Sequence, residues 1–195
     1  MKPFETRVTE VDGIHFETLV SEQVLTIPPK KIDAYTPVEF GIRVTNLSSS
    51  PYRFIFFYLV PEIVTTDGKQ LNKNGGINPN YSPYRAEFVW LSFGDSVTSL
   101  LQCKLLWIFL EKNIPNERDR NHFGSISSLV LYGLNNCGHQ WMFIDLSPDS
   151  YLVRFPYPQM ASEEKLGNIN KNVHDIWAGK VLTPWTEFSL IQSYT

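Results

Sequence analysis

Apolar and polar side chains alternate through much of this chain, while the 3.6-residue period of an amphipathic helix is nearly missing. The clearest alternation lies in 38–46, where Val38, Phe40, Ile42 and Val44 are separated by polar or small residues. This pattern is typical of a strand with one buried and one solvated face. The same criterion predicts strands near 52–60, 97–109, 151–157 and 186–192. The first of these is apolar almost throughout, so we expect a central strand that is covered on both faces.

Shorter alternating or apolar segments predict further strands near 62–66, 87–91, 127–132 and 141–145, and 14–20 and 24–27 are interpreted as one first strand or as a strand broken in two. Asp12-Gly13 predicts a turn, and Asp67-Gly68 is a strong signal for a hairpin. Three polar segments, 69–85, 111–123 and 158–176, lack any core period. They exceed the ~4–6 residues that suffice to join strands, so we interpret them as long surface loops.

The stretch 146–155 contains a Leu-x-Pro-x-x-Tyr sequence that ends in Tyr151. Such a corner begins the penultimate strand of many immunoglobulin-like sandwiches, where the tyrosine hydroxyl bonds to backbone a few residues upstream. We therefore predict that Tyr151 is buried and that its hydroxyl has a backbone partner before the corner. Val153, Phe155 and Tyr157 should share its face. With eight to ten strands and no helices, the chain is predicted to be a single all-β domain over 1–195, an immunoglobulin-like antiparallel β-sandwich with long loop insertions.

Several short patterns resemble those of bacterial Ig-like sandwich domains. They are Pro37-Val38-x-Phe40, Leu91-x-x-Gly94-Asp95-Ser96-Val97, Phe143-x-x-Leu146-x-Pro148-x-x-Tyr151 and Trp177-x-Gly179-x-Val181. Together they look like a bacterial, in particular cyanobacterial, family related in shape to the BsuPI-type intracellular proteinase inhibitors. The chain departs from the pattern at Pro148-Asp149, where Pro-Gly is usual, and in the long insertion between Leu110 and Trp141. The resemblance implies the fold and transfers no functional residue.

Charge and hydropathy narrow the classes of function. The net charge is −3 and no basic run occurs, which argues against nucleic-acid binding, since that depends on clustered Lys and Arg. The longest apolar runs, 54–60 and 105–110, are far shorter than the ~20 residues of a membrane helix. The first residues lack the apolar core of a secretory signal, so we expect a cytoplasmic protein without membrane association.

Few residues have the spacing that chemistry requires. The four histidines and two cysteines show no metal-ligand spacing, so no metal or other cofactor is predicted. Cys103 alternates with apolar residues and is interpreted as part of the core. Cys137-Gly138-His139 is the one place where a nucleophile and a base lie close in sequence, which leaves a Cys/His enzyme centred on Cys137 as one hypothesis.

Binding is the leading hypothesis. Tyr81, Tyr84 and Arg85 place two aromatic rings and a guanidinium on an otherwise Asn- and Gly-rich segment, and such residues dominate interface hot spots. We therefore predict a non-enzymatic module that binds a protein partner through its end loops, with these three residues as the site. A loop that enters a protease cleft, as in a proteinase inhibitor, is the alternative. Trp177 and Trp185 are interpreted as plugs at one end of the sandwich.

Overall fold

A computed structural model describes residues 8–56, 59–75, 88–110, 126–135, 138, 140–157 and 175–192. None of these residues lies in a helix, so the described chain is all-β, and it includes no helix long and apolar enough to cross a membrane. Its strands are β1 Val8–Val11, β2 Ile14–Val20, β3 Val24–Ile27, β4 Tyr35–Asn46, β5 Tyr52–Ile55, β6 Glu62–Thr65, β7 Lys73–Asn74, β8 Phe88–Leu91, β9 Ser96–Leu110, β10 Ile126–Leu134, β11 Gln140–Phe143, β12 Asp149–Arg154, β13 Pro156–Tyr157, β14 Val181–Leu182 and β15 Thr186–Gln192.

The larger sheet has seven strands in the order β1-β2-β4-β9-β10-β11-β7, and every pairing in it is antiparallel. Its first hairpin turns at Asp12 and Gly13, which both have positive φ (53° and 74°). Two-residue turns of this kind match the twist of the strands that they join. The Asp-Gly turn was predicted, but β1 before it was not.

The smaller sheet has four strands in the order β3-β15-β12-β6. β15 pairs with β12 antiparallel and with β3 parallel. The two sheets contact each other through their apolar faces, because the Phe40 ring of β4 lies 5.0 Å from the Phe188 ring of β15. Apolar residues of both sheets form one continuous core, which includes Cys103 as predicted.

The prediction of a central strand over 52–60 is wrong in two respects. The strand ends at Ile55, and it does not lie in the centre of a sheet. β5 pairs with β8 in a separate two-stranded sheet. The backbone N–H of Ile55 donates to the hydroxyl of Tyr157 at 3.0 Å. Phe56 and Leu59 are buried outside any strand. A continuous apolar run therefore marked burial here and not strand length.

The predicted corner at Tyr151 is confirmed. The side chain is 2% exposed, and its hydroxyl donates to the carbonyl of Ser147 (2.9 Å) and accepts from the Ser147 N–H (3.1 Å). Val153, Phe155 and Tyr157 are buried on the same face, also as predicted. The strand is interrupted at Phe155, however, where the backbone N–H donates to the hydroxyl of Thr183 (2.8 Å) and the chain passes from β12 to β13.

Aromatic rings fill the core beside β5. Trp177 lies 5.0 Å from Phe16, 6.1 Å from Phe54 and 5.9 Å from Tyr157, measured between ring centroids. Its ring also covers Gly179, where an added Cβ would lie 2.2 Å from the indole. The prediction that Trp177 is a plug is confirmed. Trp185 is half-buried outside the core, beneath the guanidinium of Arg154 at 4.2 Å, so the same prediction is wrong for Trp185.

The predicted loop 69–85 is partly corrected, because Lys73–Asn74 forms β7 at the edge of the larger sheet. The hairpin at Asp67-Gly68 is confirmed: Thr65 N–H donates to Lys69 O (2.9 Å), and Gly68 has φ of 87°. The remaining long loops lie outside the described residues almost entirely.

Candidate functional site

The residues singled out for chemistry from the sequence are largely outside the described part of the chain. This holds for the predicted binding residues, Tyr81, Tyr84 and Arg85, and for Cys137 and His139.

Cys103 is a described nucleophile candidate, but it is 4% exposed on the core face of β9. Burial raises the pKa of its thiol to about 12, and the Glu39 carboxylate acts in the same direction. A thiol must ionise to attack a substrate, so Cys103 is a packing residue and not a nucleophile.

The ion pairs among the described residues lie near the surface. His15 Nε2 lies 2.9 Å from Glu10 Oε2, and Arg154 Nε lies 2.8 Å from Glu62 Oε2. No group of three or more His, Cys, Asp or Glu side chains in the described segments could hold a metal ion. Such pairs stabilise a surface modestly and do not form a catalytic constellation.

Asn46, at the end of β4, organises three turns at one end of the larger sheet. Its side chain is fully buried, and its Nδ2 donates to the carbonyls of Ser50 and Leu91, both at 2.9 Å. Its Oδ1 accepts from the backbone N–H (2.9 Å) and the hydroxyl (2.7 Å) of Ser48. Buried amides with every partner satisfied rigidify their surroundings.

The backbone at Asn46 ties the same turns together. Its N–H donates to Asp95 O (3.0 Å), and its carbonyl accepts from Gly94 N–H (2.7 Å). The neighbouring Leu47 N–H donates to Gly13 O at 2.8 Å. The turn 92–95 is closed by two more bonds, from Ser92 N–H to the Asp95 carboxylate (2.8 Å) and from Asp95 N–H to Ser92 O (3.1 Å).

This rigid end carries exposed apolar side chains. Phe93, at the tip of turn 92–95, is 70% exposed, and Trp90 and Leu47 are 43% and 42% exposed. We call Leu47, Trp90 and Phe93 the Phe93 surface. The guanidinium of Arg53 lies 5.0 Å from the centre of the Trp90 ring, within the range of a cation–π contact.

The sequence carries a signal for this surface, although it was not among the predicted sites. Trp90 lies between Val89 and Leu91 in a strand. Its side chain therefore points to the opposite face of the strand from theirs, away from the core if theirs point towards it. Phe93 stands in a Ser-Phe-Gly-Asp turn, where polar residues are usual. A large apolar residue within a turn was the feature that pointed to the surface.

Comparison with known proteins gave no match: no family model, curated protein or solved structure is significantly similar to this chain.

Proposed function

We propose that this protein is a non-enzymatic, immunoglobulin-like β-sandwich module that binds a protein partner through loops at one end of its sheets. The tyrosine corner at Tyr151 and the contact between the two sheets support the immunoglobulin-like assignment. One observation carries the binding proposal: the aromatic ring of Phe93 is largely exposed on a turn that is fixed to the fully buried Asn46.

The free energy of folding does not explain why Phe93 and Trp90 are exposed. Burying an apolar side chain contributes roughly 1.5–3 kcal/mol, and Phe93 and Trp90 forgo much of that in the free protein. A partner that covers them recovers this free energy. Because the turn 92–95 is already ordered by its hydrogen bonds, little further conformational entropy is lost on binding. Aromatic and Arg side chains are also the residues that dominate protein interfaces.

Photo-crosslinking tests the proposal. A benzophenone amino acid is placed at Phe93 in one variant and at Ile191, 44% exposed on the outer face of β15, in a matched control. We expect one crosslinked protein in source lysate from position 93 and none from position 191. With that partner purified, Phe93→Ser should weaken binding about tenfold or more, the usual loss at a hot spot, while Ile191→Ser leaves it within about twofold. Equal crosslinking at both positions would refute the proposal.

Among the described residues, one loop can be compared with what the inhibitor alternative requires. Loop 28–34 at the other end of β4 is mostly exposed, but it is not extended. Lys31 N–H donates to Pro29 O at 2.7 Å, and Asp33 has φ of 65°. A protease cleft binds an extended segment, so this loop does not resemble a substrate. Stoichiometric inhibition in a panel of proteases would favour the alternative, and turnover lost in Cys137→Ala would favour an enzyme.

A further inference from the structure

A second exposed surface lies at the start of β4, opposite the end that holds Asn46. The strand Tyr35–Asn46 has 12 residues, so the two surfaces are roughly 36 Å apart at about 3.3 Å per residue. We define the lysine surface as Lys30, Lys31, Ile32, Tyr35 and Lys104, all of which are exposed.

The loop that carries this surface is anchored at both ends. The indole N–H of Trp107 donates to Pro28 O at 3.0 Å, and the hydroxyl of Thr36 donates to Thr26 O at 2.6 Å. At its tip the apolar residue Ile32 is 78% exposed. The loop therefore presents an aliphatic side chain from a fixed backbone.

Two of the three lysines lie over aromatic rings. Lys30 Nζ is 5.0 Å from the centre of the Trp107 ring, and Lys104 Nζ is 4.6 Å from that of Tyr35. Both distances are within the range of cation–π attraction. The contacts restrict the long lysine side chains, so less rotamer entropy is lost when a partner orders them.

The charge of this surface is opposite to that of the whole chain. Its three lysines are accompanied by one aspartate, Asp33, in the loop, whereas the chain carries a net charge of −3. A positive surface attracts an acidic partner, and two such surfaces repel each other. The exposed Ile32 and Tyr35 add an apolar contact between the charges.

We propose that the lysine surface binds an acidic segment of a partner protein that also carries an aliphatic side chain. Nucleic acid fits less well, because base stacking requires free aromatic faces and those of Tyr35 and Trp107 are occupied by lysines. A membrane fits less well, because interfacial binding buries a broad apolar face and here Ile32 is the single aliphatic side chain. The proposal does not depend on the Phe93 surface.

The test uses a short fluorescent peptide of Glu residues around a central Leu, titrated with the full chain and followed by anisotropy. A Lys30→Glu/Lys31→Glu/Lys104→Glu variant is compared with Lys69→Glu/Lys73→Glu/Lys180→Glu, which changes the net charge equally at other exposed lysines. We expect the first variant to weaken binding about tenfold or more and the second to change it less than about threefold. Binding by the wild type should also weaken as salt is raised.

Three outcomes would overturn the proposal. One is that the wild type fails to bind the peptide in low salt, and another is that the two triple variants lose binding equally, which would show an effect of net charge alone. Binding to vesicles of phosphatidylserine and phosphatidylcholine that is as tight as binding to the peptide would assign the surface to a membrane. Ile32→Ser, which keeps every charge, should weaken the peptide complex, and Phe93→Ser should leave it unchanged.

Discussion

Replacing Asn46 by Ala tests whether one buried amide holds the turns at the end of β4. The change removes two bonds donated by Nδ2, to Ser50 O and Leu91 O, and two bonds accepted by Oδ1, from Ser48. The Ser48 hydroxyl also lies 2.8 Å from Ser50 O, so it keeps a partner. Four bonds are lost, and the three that do not involve the Ser48 hydroxyl contribute about 1 kcal/mol each, which gives a destabilisation of about 3 kcal/mol.

Urea unfolding followed by tryptophan fluorescence and by circular dichroism measures this loss. The midpoint should fall while the slope of free energy against urea is unchanged, because the surface exposed on unfolding is nearly the same. The melting temperature should fall by about 6–12 °C, at about 2–4 °C per kcal/mol for a chain of this size. Asn74→Ala, at an exposed position in β7, is the control and should change stability by less than about 0.5 kcal/mol. A loss below about 1 kcal/mol for Asn46→Ala would show that water replaces the amide and would refute the argument.

Three further predictions follow from the core and the corner. Tyr151→Phe removes a hydroxyl that both donates to and accepts from Ser147 backbone, and it should cost about 1 kcal/mol; equal urea midpoints for variant and wild type would contradict this. Gly133→Ala would place a Cβ 2.1 Å from the Trp141 ring, so it should cost about 1–3 kcal/mol in overpacking, and an unchanged midpoint would mean that the ring can move aside. With the second cysteine replaced by serine, Cys103 should resist iodoacetamide at about pH 8 in the folded protein and react in urea, since burial raises the pKa of the folded thiol from 9.0 to about 12. The contribution of that thiol to stability is complete below about pH 9 and is lost as pH rises towards about 12; rapid alkylation of the native protein would show that Cys103 is accessible.

Where the sequence pattern succeeded, the physical cause was local. Alternation of period two predicted β4 and β15 well, because each has one face in the core and the other in solvent. The corner at Tyr151 could also be predicted, since the hydroxyl and its partner at Ser147 are only four residues apart. The turn at Asp12-Gly13 depends on backbone φ at two adjacent residues, which their identities favour.

The candidate site could not be predicted as well. Exposure of Phe93 depends on how turn 92–95 sits against Asn46, and the two are far apart in sequence. The sequence therefore directed attention to Tyr81, Tyr84 and Arg85 by composition alone, and they remain a prediction outside the described residues. Composition shows which side chains could serve an interface, but the packing of neighbouring turns determines which are exposed.

By itself the sequence determined that the chain is all-β, where most strands lie and which of their faces are buried. The tertiary structure decided where strands end and which turns meet. At Ile55, the last residue of β5, the N–H donates to the hydroxyl of Tyr157, and at Phe155, where the chain leaves β12, the N–H donates to the hydroxyl of Thr183. Both partners are distant in sequence, 102 and 28 residues away, so no local pattern could reveal them. Strand periodicity records burial, whereas strand pairing depends on contacts that exist only once the chain has folded.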